Sequence, residues 1–149
     1  MINFEFKQRN VDVPADLRLY RRLAMVCASI AECCKGNTGS FKQLHFINSL
    51  YLDPSFREIY MEYKALRISL KILTPSADPY LNRCVNYALG AELLEPKPLK
   101  GSFKLMLSNS GKQFVANLKD QHLVEDIFAV SKQIGKISET EINNALRLR

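Results

Sequence analysis

Apolar positions along this chain change period from 3.6 to 2 and back, and each change marks an element. After Pro14, the residues Tyr20, Leu23, Ala24, Cys27, Ile30, Ala31 and Cys34 recur at helical spacing. They predict a core helix from Ala15 to Cys34, with Arg18, Arg21 and Arg22 directed away from the stripe. GNTGS at 36–40 reads as a turn, and Ser40 is a natural N-cap for a helix through Tyr51 with Phe41, Leu44, Ile47 and Tyr51 inward. Asp53-Pro54 stops that helix and opens another carrying Phe56, Ile59, Tyr60 and Tyr63. Two segments have the alternation of strands: Ile2, Phe4 and Phe6, a short strand or docking arm, and Ile68 to Ile72, leading into Pro75.

The stretch 78–111 is the most informative. Leu81, Cys84, Val85, Ala88 and Leu89 form one buried helical stripe and leave Asn82, Arg83, Asn86 and Tyr87 on the outer face. Gly90 ends the helix, and Leu93 and Leu94 begin an extended segment that Pro96 and Pro98 restrict to a sheet edge. Lys97, Lys100 and Gly101 make a basic turn. Phe103, Leu105 and Leu107 then alternate with Lys104 and Met106 as a half-buried strand does, and Ser108 caps a helix carrying Lys112, Phe114 and Val115. Helix, strand, turn, strand, helix is the order of a winged helix, whose core would close if the 68–72 strand paired with the hairpin. A helix beside a simple hairpin is the plainer alternative.

The last third is helical. Leu118 to Ile134 carries Leu123, Ile127, Val130 and Ile134 before Gly135 breaks the pattern. Ser138 and Glu141 have capping-box spacing for a short final helix with Ile142, Ala145 and Leu146 on one edge and Arg147 and Arg149 at its C-terminal end. So short a helix needs a surface to dock on, its own domain or a partner's. The expected fold is mainly α with a small β-sheet (α+β), a winged helix-turn-helix-like single domain over 1–149, its core about 15–118 and a helical extension about 119–149.

Composition narrows the function classes. The chain has 149 residues, 47% hydrophobic and 24% charged, which is ordinary globular usage. No apolar run reaches the roughly 20 residues of a membrane span, and MINFEFKQRN lacks the pattern of a signal peptide, so a cytoplasmic location is expected. Lys and Arg exceed Asp and Glu by 21 to 15, a net charge of +6 that favours polyanions or acidic protein surfaces without singling out nucleic acid. Cys27, Cys33, Cys34 and Cys84 read as reduced core residues. No C-x-x-C pair is present and His45 and His122 are the only histidines, so no metal or cofactor is expected. The vicinal pair Cys33 and Cys34 could be redox-active, but such pairs at helix ends more often pack than react.

Catalysis has little support. GNTGS lacks the Lys-Ser/Thr that completes a phosphate loop, and no nucleophile elbow, H-E-x-x-H or paired carboxylate frame occurs. His45 has no evident partner for base chemistry. The expectation is a protein that is not an enzyme.

The order of segments resembles the middle components of three-component ABC-ATPase systems, which include the small accessory subunit of Lamassu-type defence systems. LRLYRRLAMVCASIAE, GSFKQLHFINSLYLDP, DPYLNRCVNYALGAELLE and SFKLMLSNSGKQFV carry the resemblance, over roughly residues 15–118. Asp78, Pro79, Leu81, Asn82, Arg83, Asn86, Ala88, Gly90 and Leu94 look like the family's D-P-x-L-N-R-x-x-N-x-A stretch and the short strand after it. Gly111 and Phe114 look like its T/S-x-x-G-x-x-F helix start. The chain departs from the pattern at Cys84, where a small alanine is expected, and at Ser108, where threonine is usual. Transcription factors and condensin-like accessory subunits share much of the same pattern.

The resemblance implies a non-catalytic adaptor that holds an SMC-like ATPase and an effector, often a nuclease, in an antiphage or antiplasmid complex. The sheet edge or wing would serve as a docking surface, with non-specific DNA contact an added role. Phe56, Tyr60 and Tyr63 are either its exposed docking patch or simply core. The rival is a DNA-binding transcriptional regulator in which Asn82, Arg83 and Asn86 face base edges and Lys97, Lys100 and Lys104 touch phosphate.

Overall fold

Nine consecutive residues of the first helix, 22–30, are buried, more than one stripe could provide. The structure is a computed structural model that describes residues 18–66, 75 and 78–146. In it α1 (Leu19–Cys33) is contacted by the later helices α2 (Phe41–Leu52), α4 (Pro79–Gly90), α5 (Asn109–Asp120) and α6 (Glu125–Ile134). A helix enclosed on several sides cannot keep a polar face, so Met25, Val26 and Ala28 join the core beside the expected stripe. Arg22 is buried as well, against the expectation that it points away, and Tyr20 is half exposed with its ring edge-on to Phe114 at 6.0 Å.

Ser40 caps α2 as its position suggested. Its hydroxyl accepts from the Gln43 amide at 3.2 Å while the Gln43 side chain accepts from the Ser40 amide at 2.9 Å, a reciprocal capping box. Asp53 starts α3 (Pro54–Leu66) through hydrogen bonds from the Ser55 and Phe56 amides. The run before Ser40 is more than a turn. After one 3₁₀ turn at Lys35–Asn37, Thr38–Gly39 form a two-residue strand, β1.

That strand completes a three-stranded antiparallel sheet in the order β1-β3-β2, with β2 at Leu94–Leu99 and β3 at Ser102–Leu107. Leu94 pairs with Leu107, Pro96 with Leu105, and Met106 with both Glu95 and Thr38. Leu94, Leu105 and Leu107 point into a core shared with Val26, Ile30, Leu44, Leu81 and Val85. The third strand is therefore part of the GNTGS run. The segment at 68–72, the alternation at 2–6, the proline-led start at 14–17, and Arg147 and Arg149 lie outside the described residues.

The C-terminal third is divided where continuous periodicity suggested one helix. α5 ends at Asp120, and α6 begins at Glu125 after a turn in which His122 (φ 53°) and Val124 (φ 49°) are left-handed. Neither glycine nor proline marks that break, and Leu123 sits in the turn, largely outside the core. α7 (Glu139–Ala145) is capped by Ser138, which accepts from the Glu141 amide at 3.2 Å. It docks on its own chain: Ile142 and Ala145 join Cys33, Cys34, Phe46, Ile47, Leu50 and Ile137 in a second core. Lys136 reinforces this junction by donating to the Ala31 and Cys34 carbonyls at the end of α1. The architecture among the described residues is α+β, mainly helical with a small sheet.

Candidate functional site

The outer face of α4 and the β2–β3 hairpin gather most of the residues singled out by sequence. Asp78 caps α4 by accepting from the Tyr80 amide at 3.1 Å, and Pro79 occupies the first helical position, where its missing N–H leaves no bond unmade. The other carboxylate oxygen accepts from the Arg22 guanidinium and from the Asn48 amide at 2.9 Å, so one residue ties α1, α2 and α4 together. Leu81, Cys84, Val85 and Ala88 face inward. Asn82, Arg83, Asn86 and Tyr87 are exposed, as expected from their spacing. The guanidinium carbons of Arg22 and Arg83 lie over the Tyr80 ring, 5.8 and 5.7 Å from its centre.

The far end of α4 is locked to the start of α5. The Ser108 hydroxyl donates to the Glu92 carbonyl at 2.5 Å and accepts from the Gly111 amide at 3.0 Å, while the Ser108 amide donates to Leu93 at 3.1 Å. A Cβ on Gly111 would stand 2.1 Å from the Leu93 carbonyl oxygen and 2.9 Å from a Leu107 methyl. Only glycine lets this first turn of α5 lie on the strand entry. Serine and glycine at this spacing are therefore parts of one joint.

Lys97 and Lys100 are exposed and Lys104 is partly covered, with Gly101 at φ 74° closing the turn. β2 is an edge strand, but it is a poor one for strand addition. The Ser108 amide bonds to the Leu93 carbonyl, which in this register places 95, 97 and 99 at hydrogen-bonded pairs with β3 and turns the nitrogens of Pro96 and Pro98 outward. Those two positions offer an incoming strand no donor. The sheet edge expected as a docking surface is thus blunted, and the hairpin has to make contacts through its side chains.

Three other candidates change status. Phe56, Tyr60 and Tyr63 are buried, 3%, 0% and 9% exposed, and Phe56 and Tyr60 pack edge-on against Phe46 at 5.4 and 5.3 Å. The reading of these three as a docking patch is overturned, because α3 turns that face onto α2. All four cysteines are free and buried. Burial raises the thiols, Cys27 and Cys34 to about 12 and Cys33 to about 11, and it raises Cys84 as well, which leaves them without thiolate character at neutral pH. His45 gives its backbone carbonyl to Ser49, and His122 pairs with Glu125 at 3.0 Å on the surface. Among the described residues, no three His, Cys, Asp or Glu side chains gather as a metal site, and no helix is long and apolar enough to cross a membrane.

One surface was not anticipated. Leu118, Leu123, Phe128 and Ala129 line an open groove of about 340 Å³ beside the α5–α6 turn, with Lys119, His122, Glu125 and Lys132 on its rim and the Lys119 ammonium 5.4 Å from the Phe128 ring centre. The left-handed residues that break the helix are what expose Leu123, and no sequence signal marks them. Arg22 was also missed as a structural partner, since an arginine off an apolar stripe ordinarily faces water.

No family model, curated protein or solved structure matches this chain.

Proposed function

We propose that this chain is a non-catalytic accessory subunit, a winged-helix adaptor that joins an SMC-like ATPase to an effector in a prokaryotic defence complex. The segment order supports the winged helix: among the described residues α1, the short strand β1, α2, α3, α4 and the β2–β3 hairpin occur in that order, with β3 central in the sheet. The motif residues behind the resemblance have structural roles that make such a module rigid. Asp78 and Pro79 start α4, Leu81 and Ala88 bury it, and Ser108 and Gly111 fasten α5 to the hairpin entry.

The observation that carries the adaptor reading is the α5–α6 groove. An apolar trough suits the apolar face of a partner helix; on its mixed rim Lys119 is already paired with Glu32 and His122 with Glu125, which leaves Lys132 as the cation placed to meet an acidic residue of that helix. Exposed Leu123 and Ala129 are the residues a partner would cover.

Co-expression of the tagged chain with its genomic neighbours, followed by pull-down at moderate and high salt, tests the proposal. Recovery of an ATPase and an effector that is lost on Ala129→Glu and retained on Arg83→Ala is the expected result. Recovery of the chain alone, as a homodimer binding a specific operator, would replace the adaptor with a regulator.

A further inference from the structure

The turn between α5 and α6 is held in a conformation that its residues disfavour. α5 closes in the manner usual before a glycine: the Leu123 amide donates to the Leu118 carbonyl at 2.9 Å and the His122 amide to the Lys119 carbonyl at 3.1 Å. Histidine, not glycine, takes the left-handed position, with φ 53° at His122. Val124 is left-handed as well (φ 49°, ψ 43°), a rarer state still for a β-branched residue, and as N-cap of α6 it supplies no side-chain bond. Left-handed geometry disfavours L-residues because Cβ crowds the following carbonyl. A straight helix would suit the same residues. From Lys112 to Ile134 there is no glycine or proline, and the helical spacing of Ile127, Val130 and Ile134 extends back to Leu123 inside the turn.

The arm beyond the turn packs on elements that a second copy also presents. α6 lies on α1 rather than along α5, and α7 lies on α2. Ile127 shares a core with Ala24 and Met25 of α1, and Ile134 and Ile142 share one with Phe46 and Ile47 of α2. The polar ties run the same way: the Ile137 amide donates to the Cys33 carbonyl, and the Gln43 side chain donates to the Ile137 carbonyl, both at 2.9 Å. None of these contacts requires that the two sides belong to one chain.

We propose that two copies of this chain exchange α6 and α7 reciprocally, with α5 and α6 straightened in each into one helix over 109–134. The arm's contacts with α1 and α2 are remade on the other copy, and the two left-handed residues become helical. The long helices cross at the former turn, so Leu118, Leu123 and Phe128, which line an open groove in the single chain, are covered by their counterparts. The exchange goes beyond the adaptor role and does not rest on it.

A mixed cross-link provides the test. Arg21 of α1 and Asp126 of α6 are hydrogen-bonded in the fold, and the native thiols are buried. Full-length Arg21→Cys and Asp126→Cys chains with different tags are concentrated together, warmed below the melting transition and treated with a short bismaleimide. A covalent dimer carrying both tags is expected, because exchange lays α6 of one copy on α1 of the other. Light scattering after size exclusion reads the equilibrium. His122→Gly with Val124→Gly suits both left-handed positions, and it should raise the dimer dissociation constant at least about a hundred-fold. His122→Ala with Val124→Ala favours the straight helix and should lower that constant about ten-fold. A monomer at every concentration in both the parent and the alanine variant overturns the proposal. A dimer that yields no mixed cross-link overturns it too, as does one whose dissociation constant is unchanged in the glycine variant. A glycine variant that fails to fold contradicts it as well, since glycine is the residue both positions should favour.

Discussion

Asp78 and Arg22 form a buried ion pair across 56 positions of chain, and this pair sets where α4 begins. The two side chains are 9% and 7% exposed. The pair is tolerable there because the remaining acceptor capacity of Asp78 is used by Asn48 and by the Tyr80 amide. Its consequence is positional: the start of the helix that carries Arg83 is anchored by the same carboxylate that anchors α1.

Removing one partner should therefore cost more than a lost cap. Asp78→Ala leaves Arg22 buried without its carboxylate, and a loss of about 3 kcal/mol is expected, a melting shift of roughly 6–12 °C by calorimetry. Asp126→Ala, at the exposed Arg21 pair, should cost less than about 1 kcal/mol.

The same pair gives stability an acid dependence. Burial alone would raise the Asp78 carboxyl, but hydrogen bonds from Asn48 and Arg22, with the arginine's charge, outweigh it and hold the group below its ordinary value. A lowered folded-state pKa contributes stability that is complete above the unfolded value of about 4 and is lost as pH falls through the folded value. Urea midpoints measured from neutral pH downward should fall in that acid window, and the fall should be shallower in Asp78→Asn. An identical profile in the variant would remove Asp78 as the cause.

Gly111 and Gly90 should respond in opposite directions to alanine. Helix propensity alone favours alanine at both by up to about 1 kcal/mol. At Gly111 the new methyl would meet a backbone carbonyl, so the expected effect is a loss of about 3 kcal/mol, whereas at Gly90 nothing lies within 4 Å and stability should hold or rise. Chemical denaturation of the two variants side by side reads the sign directly.

Tyr60→Ala should behave as a core truncation. The ring is fully buried against Phe46 and beside Tyr63, and its loss should cost about 3–5 kcal/mol. If the variant kept the parent's melting temperature and lost only partner binding, the residue would be an interface residue after all.

The four thiols should be silent in the folded protein. Burial pushes them up and covers them, so a colorimetric thiol reagent at mildly alkaline pH should titrate almost none until guanidinium is added, and four afterwards. Rapid reaction of one thiol in the folded chain would reopen the redox reading of Cys33 and Cys34.

The sequence by itself determined what depends on neighbours along the chain. Ser40, Ser108 and Ser138 each precede a helix and each caps it, the stripe from Leu81 to Ala88 is the buried side of α4, and alternation around Leu105 gave the half-buried strand. These features are decided by local hydrogen bonding and by a single period. Tertiary structure decided the rest, because contacts between distant segments leave no period behind. Two residues of a glycine-containing turn became β1 since β3 had a free edge beside them. Arg22 went inward because α4 delivers a carboxylate to it. The helix at 118–134 broke at His122 and Val124 with no glycine or proline to announce it, and Phe56, Tyr60 and Tyr63 became core because α2 lies across them. An amphipathic pattern says that a face will be covered or displayed, and only the packing of the other elements decides which.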